Sequence, residues 1–183
     1  MYIRDMIWGG VWGALALFLP LLLHPFGLGS HLMPMFLPLL VAGCTLQLRT
    51  GIVLAVSIPL ISSLFTGMPP FYPPLAVLMV LEAVSMNIWL FWSYRKRRWN
   101  IHFSLIVAFL IQRVVRVLFI LAAREIVPLP AAWLFIPALI WGVPGAVIQT
   151  GVIPWVVRVI EVQFCPVGPR RPAREDTRRE IAG

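Results

Sequence analysis

In IHFSLIVAFLIQRVVRVLFILAAREI, residues 101–126, three polar side chains interrupt an apolar run: Gln112, Arg113 and Arg116. Arg113 and Arg116 are three residues apart, so a helix places them on one face. An arginine at mid-membrane costs about 2.5–3.5 kcal/mol on insertion scales. It must face the interior of a helix bundle, or water, and find a partner there. Glu82 is the natural partner: it lies about ten residues, roughly 15 Å, into the preceding apolar run, and Arg116 is about as deep, counted back from Pro128. One carboxylate cannot neutralise two guanidiniums. The surplus positive charge suits a ligand carboxylate or phosphate. The alternative is structural, an ion pair or carbonyl contacts that lock two helices. Asn87 and Gln149 read as residues that hydrogen-bond between helices. His24 and His31 either contact ligand or sit solvated at a membrane interface.

These residues stand in a chain of 183 residues that is 60% hydrophobic and 12% charged, with mean hydropathy +0.90. A soluble domain carries about 25% charged residues, and so few polar groups cannot cover a soluble surface. The apolar runs are continuous and long, which predicts helices and not a barrel of alternating strands. The fold expected is an all-α integral membrane protein, a six-transmembrane-helix bundle over residues 1–162 with a basic, disordered cytoplasmic tail over 163–183. The spans fall at about 6–23, 33–48, 50–66, 72–94, 102–124 and 133–161. The first reads as a retained helix and not a cleaved signal. The last is too long for one straight span, and Pro137, Pro144 and Pro154 predict kinks or an end lying along the membrane.

The net charge of +8 could suggest nucleic acid, but its distribution suggests a membrane. With the N-terminus inside, Arg4, Arg49, Arg95, Lys96, Arg97, Arg98, Arg158 and the tail arginines 170, 171, 174, 178 and 179 all lie on the inner side, 12 of the 15 basic residues. Positive-inside asymmetry then puts both termini in the cytoplasm. The tail's arginines suit anionic lipid headgroups. Cys44 and Cys165 have neither metal-ligand spacing nor a disulfide pattern, and no cofactor or metal is expected.

This orientation places two unusual segments outside: HPFGLGSHLMPMF (24–36) and FTGMPPFYPP (65–74). Both are nearly uncharged and mix Gly and Pro with aromatics and Met. Such backbone is tolerated at membrane depth where it is buried in protein or lines a cavity. Both are candidates for a lid over a small ligand, with His31, Met35, Met68 and Tyr72 in contact and Phe71 as a shaping residue. The alternative is an interfacial aromatic belt with tight turns. In the first span, GGVWGALA sets Gly9 and Gly13 as a GxxxG pair and Gly10 with Ala14 as a second small-residue pair. They form either an internal seam or a docking face for another membrane subunit.

Residues 37–84, LPLLVAGCTLQLRTGIVLAVSIPLISSLFTGMPPFYPPLAVLMVLEAV, resemble a substrate-binding S-component of the energy-coupling factor (ECF) transporters. The resemblance rests on the AG and following G of the second and third spans, the SS..TGMPP ending of the third, and the M..E that follows. The arginine of the fifth span and GVPGAVIQTGVIPWVVRVIE (142–161) support it, and it runs along about residues 5–162. Cys44-Thr45-Leu46-Gln47 departs from the family's more aliphatic, Gly-rich pattern at a point away from the ligand end. The resemblance implies capture of a vitamin or similar micronutrient at the outer face of a prokaryotic plasma membrane, and the charge and depth of Glu82, Arg113 and Arg116 make them the residues expected in the site. It also implies a T-type membrane coupling subunit, docked through Gly9, Gly10, Gly13 and Ala14, and two ABC ATPase subunits.

The chain has no Walker A motif, no GxSxG, no HExxH and no paired catalytic carboxylates, so no enzymatic role is expected. A scaffold of the rod-shape MreD type, six spans without transport, is the competing reading. A ligand cavity at the Glu82–Arg116 centre would favour capture, and a solidly packed centre would favour the scaffold.

Overall fold

The computed structural model of the chain describes residues 2–23, 33–67, 69–70, 74–126 and 132–164, with the side chains of 2, 123–126, 132–141 and 162–164 left aside. The described residues are helical, with no strand among them: α1 (Tyr2–Leu23), α2 (Phe36–Thr45), α3 (Leu48–Thr66), α4 (Leu75–Leu90), α5 (Ile101–Ile126) and α6 (Ala132–Phe164). A π-helical turn, Phe91–Lys96, continues α4. Large apolar side chains point outward all along the helices, among them Phe18, Val53, Leu118, Val147 and Trp155. That is the surface of a protein whose solvent is lipid, and the chain is an α-helical membrane protein.

Among the described residues, five helices are long and apolar enough to cross a membrane: Ile3–Leu23, Leu48–Thr66, Leu75–Lys96, Ile101–Ala122 and Gly142–Glu161. The second predicted span, 33–48, is reduced to the ten residues of α2, about 15 Å of helix, half a hydrocarbon core. Its start is blocked because Met33 has left-handed backbone, φ 44°, followed by Pro34 in a turn. Its end is set by Leu46, which is extended (φ −95°, ψ 171°) and bonds back to the Ala42 carbonyl.

Short as it is, α2 is the centre of the bundle. It touches α1, α3, α4, α6 and the π-helical turn. Leu39, Leu40, Val41 and Ala42 are each fully buried, and four consecutive buried residues mean protein on every side of the helix. α6 is a single 33-residue helix that runs on through Pro137, Pro144 and Pro154. At about 50 Å it exceeds a bilayer core.

Small residues bring the helices together. A Cβ on Gly9 would lie 2.9 Å from Thr50 Cγ2, and one on Gly13 would lie 3.2 Å from Leu54 and 3.3 Å from Ile58. Gly9 and Gly13 therefore form the internal seam between α1 and α3. Gly10 has nothing within 4 Å, and it and Ala14 are exposed. Of the four docking candidates, only these two remain open to a partner. Asn87 departs from the interhelical hydrogen bond expected of it. Its amide donates to Ala83 O of its own helix, at 2.9 Å. Its buried Oδ1, without a hydrogen bond, lies against Gly43 and Gly51, where added Cβ atoms would be 2.8 and 3.0 Å away.

The start of α1, the α2–α3 and α4–α5 connections and the far end of α6 gather at one end of the bundle. There the Asp5 carboxylate accepts from Gln47 N–H (3.3 and 3.2 Å) and from Thr50 Oγ1 (2.8 Å). Tyr94 donates to Glu161 at 2.8 Å, and Arg95 donates to the carbonyl of Thr45.

Candidate functional site

In the middle of the bundle, α4 supplies one buried carboxylate and α5 the donors that meet it. Arg116 Nε lies 2.6 Å from Glu82 Oε1, and Arg116 Nη2 donates to Oε2 at 2.9 Å. This is the bidentate fork for which guanidinium and carboxylate are matched in shape. Gln112, one turn back on α5, donates from Nε2 to the same Oε2 at 3.1 Å. Glu82 is fully buried, and Gln112 and Arg116 nearly so. Helical spacing places Gln112 and Arg116 on one stripe facing α4. The acid's four lone-pair sites thus receive three donors, a degree of satisfaction that a charge at this depth requires.

Arg113 takes a different direction and is half-buried. Its Nη2 would be 3.0 Å from a Cβ on Gly142 of α6. That bare glycine also faces Met33, whose Cε would collide with the same Cβ and whose Sδ would lie 3.2 Å from it. Met33 Sδ lies 3.8 Å from Gln112 Nε2, and Met33 O accepts from Gln149 Nε2 of α6 at 3.2 Å. Four segments converge here: α4, α5, α6 and the turn that enters α2. One guanidinium pairs with the carboxylate and a second lies beside Gly142. The arrangement is suited to holding an anion or to locking helices; it contains no nucleophile–base pair, and no group of three metal-ligating side chains occurs among the described residues.

Of the predicted site residues, Glu82, Arg113 and Arg116 come together. Met35 does not join them; it is buried in the apolar core with Phe36 and Leu39. His24, His31, Met68, Phe71, Tyr72 and the tail from 165 onward lie outside the described residues. What is described of the 65–74 segment ties back onto its own helices. Gly67 is left-handed (φ 69°) and its N–H closes α3 on Ser63 O. Ser63 Oγ donates to the carbonyl of Pro69, and Pro70 O accepts from Ala76 N–H at 3.3 Å.

Sequence reasoning missed Met33 and Gly142 and gave Gln112 no site role. Gln112 carried a signal, a neutral polar residue one turn from Arg116 in an apolar run. Met33 carried none, since a methionine in apolar sequence reads as packing. An apolar groove of about 490 Å³ on the outward side of α4 and α5, lined by Leu81, Val84, Ile88, Leu118 and Phe119 among others, is distinct from this cluster and suits lipid chains. Comparison with known protein families, curated proteins and solved structures finds no match.

Proposed function

We propose that the chain is the substrate-capture subunit of an ECF-type importer in a prokaryotic plasma membrane. In this reading it is a six-helix bundle, the short α2 enclosed by the longer helices, with both termini in the cytoplasm, and it binds a small anionic micronutrient, a vitamin or a precursor of one. It carries no catalytic machinery. It delivers its ligand by reorienting on a T-type coupling subunit driven by two ABC ATPase subunits, with the exposed Gly10–Ala14 side of α1 as the docking surface.

The observation that carries the reading is the charge of the mid-bundle cluster. Glu82 is matched by Arg116, and Arg113 adds a second guanidinium directed at Gly142 and Met33. Ionisable groups at membrane depth are costly and are, by default, read as functional. The test is binding of a vitamin panel (the anions pantothenate and folate, with pyridoxine and cobalamin as the non-anionic comparison) to the detergent-purified chain, read by native mass spectrometry. One member is expected to bind. Arg113→Ala is expected to weaken it by about tenfold or more, the scale of one lost charge pair. Absence of binding across the panel would count against capture.

One observation favours the scaffold reading. The Glu82–Arg116 fork is closed and buried, as a structural lock would be. A scaffold of the MreD type would bind none of the panel and would lose stability, not ligand affinity, when the fork is cut.

A further inference from the structure

The connection from α4 to α5 is short, basic and aromatic: Tyr94-Arg95-Lys96-Arg97-Arg98-Trp99-Asn100. Its backbone turns tightly, with Arg97 N–H bonded to Trp92 O and Trp99 N–H to Ser93 O, both at 3.0 Å. Between them Arg98 is left-handed, φ 56°. Glycine is usual at such a place after a helix, because a side chain there is strained; this chain keeps an arginine in it. The turn folds Trp99 back onto α4, and Trp89, Trp92 and Trp99 form a triangle with ring centroids 5.9–6.0 Å apart. Trp89 is anchored through Nε1 to Ser104 O at 3.0 Å, whereas Trp92 and Trp99 are exposed. Exposed indoles at the end of a membrane helix sit at the level of lipid headgroups.

Arg97 lies over Trp92, 4.6 Å from the ring centroid. Stacking engages the face of a guanidinium and leaves its in-plane N–H donors for a phosphate. Among the described residues neither Arg97 nor Arg98 has a carboxylate partner. The acids described at this end, Asp5 and Glu161, take Thr50 and Tyr94. The same face of α4 continues into the apolar groove. Leu81, Ser85, Ile88 and Trp92 follow at spacings of three and four, one stripe of a helix, and the first three line the groove opposite Val115 and Leu118 of α5. Leu81 and Trp92 are about 16 Å apart along the helix, close to half of a hydrocarbon core about 30 Å thick, which is the depth of one leaflet. The one polar side chain in the groove wall, Ser85, donates to Glu82 O of its own helix at 2.8 Å, so the wall presents only apolar surface.

We propose that the α4–α5 turn and the groove together bind one anionic phospholipid. Its phosphate accepts from Arg97 and Arg98, its headgroup lies level with Trp92 and Trp99, and one acyl chain runs along Trp92 and Ile88 into the groove. Charge selects the lipid. The turn exposes Lys96, Arg97 and Arg98 and contains no acid, so it favours a headgroup of net negative charge over a zwitterionic one, whose ammonium it repels. The inference rests on the membrane fold and is independent of the capture reading.

The test adds palmitoyl-oleoyl phosphatidylglycerol, or phosphatidylcholine with the same chains, to the delipidated full chain in detergent and reads bound lipid by native mass spectrometry. Wild type is expected to prefer phosphatidylglycerol by about 25-fold, or about fivefold for each of two arginines. Arg97→Gln with Arg98→Gln is expected to abolish that preference and to leave phosphatidylcholine binding unchanged. Arg49→Gln with Arg158→Gln removes the same charge from exposed positions on α3 and α6 and is expected to leave most of the preference in place, because charges away from the site are screened. Equal losses in the two pairs would mean bulk attraction alone and overturn the site.

Arg98→Gly separates binding from folding. It relieves the positive φ, so the unfolding temperature is expected to hold or rise, while phosphatidylglycerol binding falls about fivefold. Unchanged binding in this variant overturns the role of Arg98. Ser85→Phe fills the groove and is expected to weaken both lipids severalfold with the preference for phosphatidylglycerol kept. Unchanged lipid binding there overturns the groove as the place of the acyl chain. A dimer in the native mass spectrum that Ser85→Phe disrupts would make a second copy of the chain the occupant and overturn the lipid.

Discussion

At the end of the bundle where α1 begins and α6 finishes, the polar ties run to helix termini. Asp5 accepts from the N–H of Gln47, the N-cap of α3, Arg95 meets the last carbonyl of α2, and Tyr94 meets Glu161 near the end of α6. In mid-bundle, Glu82, Gln112 and Arg116 join side chain to side chain, far from any terminus. The Asp5 and Arg95 contacts answer a need that every helix has, because its terminal donors and acceptors lack intrahelical partners. The mid-bundle set answers no backbone need. It exists only because three polar side chains were placed where apolar ones would have packed, and so it is the part of the molecule that calls for a functional explanation.

The contrast can be broken by mutation, and the largest effect is expected at the fork. Glu82→Ala leaves the buried Arg116 without its counter-charge and should destabilise the protein by about 3–5 kcal/mol, seen as the largest fall in thermal unfolding temperature in detergent. Replacing both partners, Glu82→Met with Arg116→Met, should recover most of that loss. A double variant as unstable as the single one would mean that the fork is not an isolated lock.

A smaller effect is expected on the seam between α1 and α3. Gly9→Leu meets Thr50 and should cost about 1–3 kcal/mol by overpacking, while Gly10→Leu, one residue on, should leave unfolding temperature unchanged. Equal losses at both positions would contradict the buried and open faces assigned to α1. At the terminal end, Asp5→Ala removes the acceptor that caps α3 and should cost about 0.5–2 kcal/mol. Hydrogen exchange at the first turn of α3 should rise in this variant and stay unchanged in the middle of α5.

The same contrast explains what could be read from sequence. Glu82, Arg113 and Arg116 were legible because charge is rare in an apolar run and cannot be solvated there. Pairing Glu82 with Arg116 needed only similar depth on neighbouring helices. Asp5 as the cap of α3 was not legible, because its partner is 42 residues away and no local pattern signals a cap supplied by another helix. The shortening of α2 was hidden as well. Residues 33–48 are almost wholly apolar, and hydropathy measures whether a segment avoids water, not whether it meets lipid or protein. The glycine motif was visible, but which of its two small-residue pairs faced inward depended on the rotation of α1, which composition does not fix.

The π-helical turn has a consequence of another kind. Arg97 N–H bonds to Trp92 O, five residues back, at 3.0 Å. A wider turn of this kind acts as a phase shifter, because each such turn rotates everything after it about the helix axis relative to a pure α-helix. Glu82 lies before it, and Tyr94 and Arg95 lie within it. α4 can therefore point its acid at α5 and its later polar groups at Thr45 and Glu161, with the two bearings set independently along one rod.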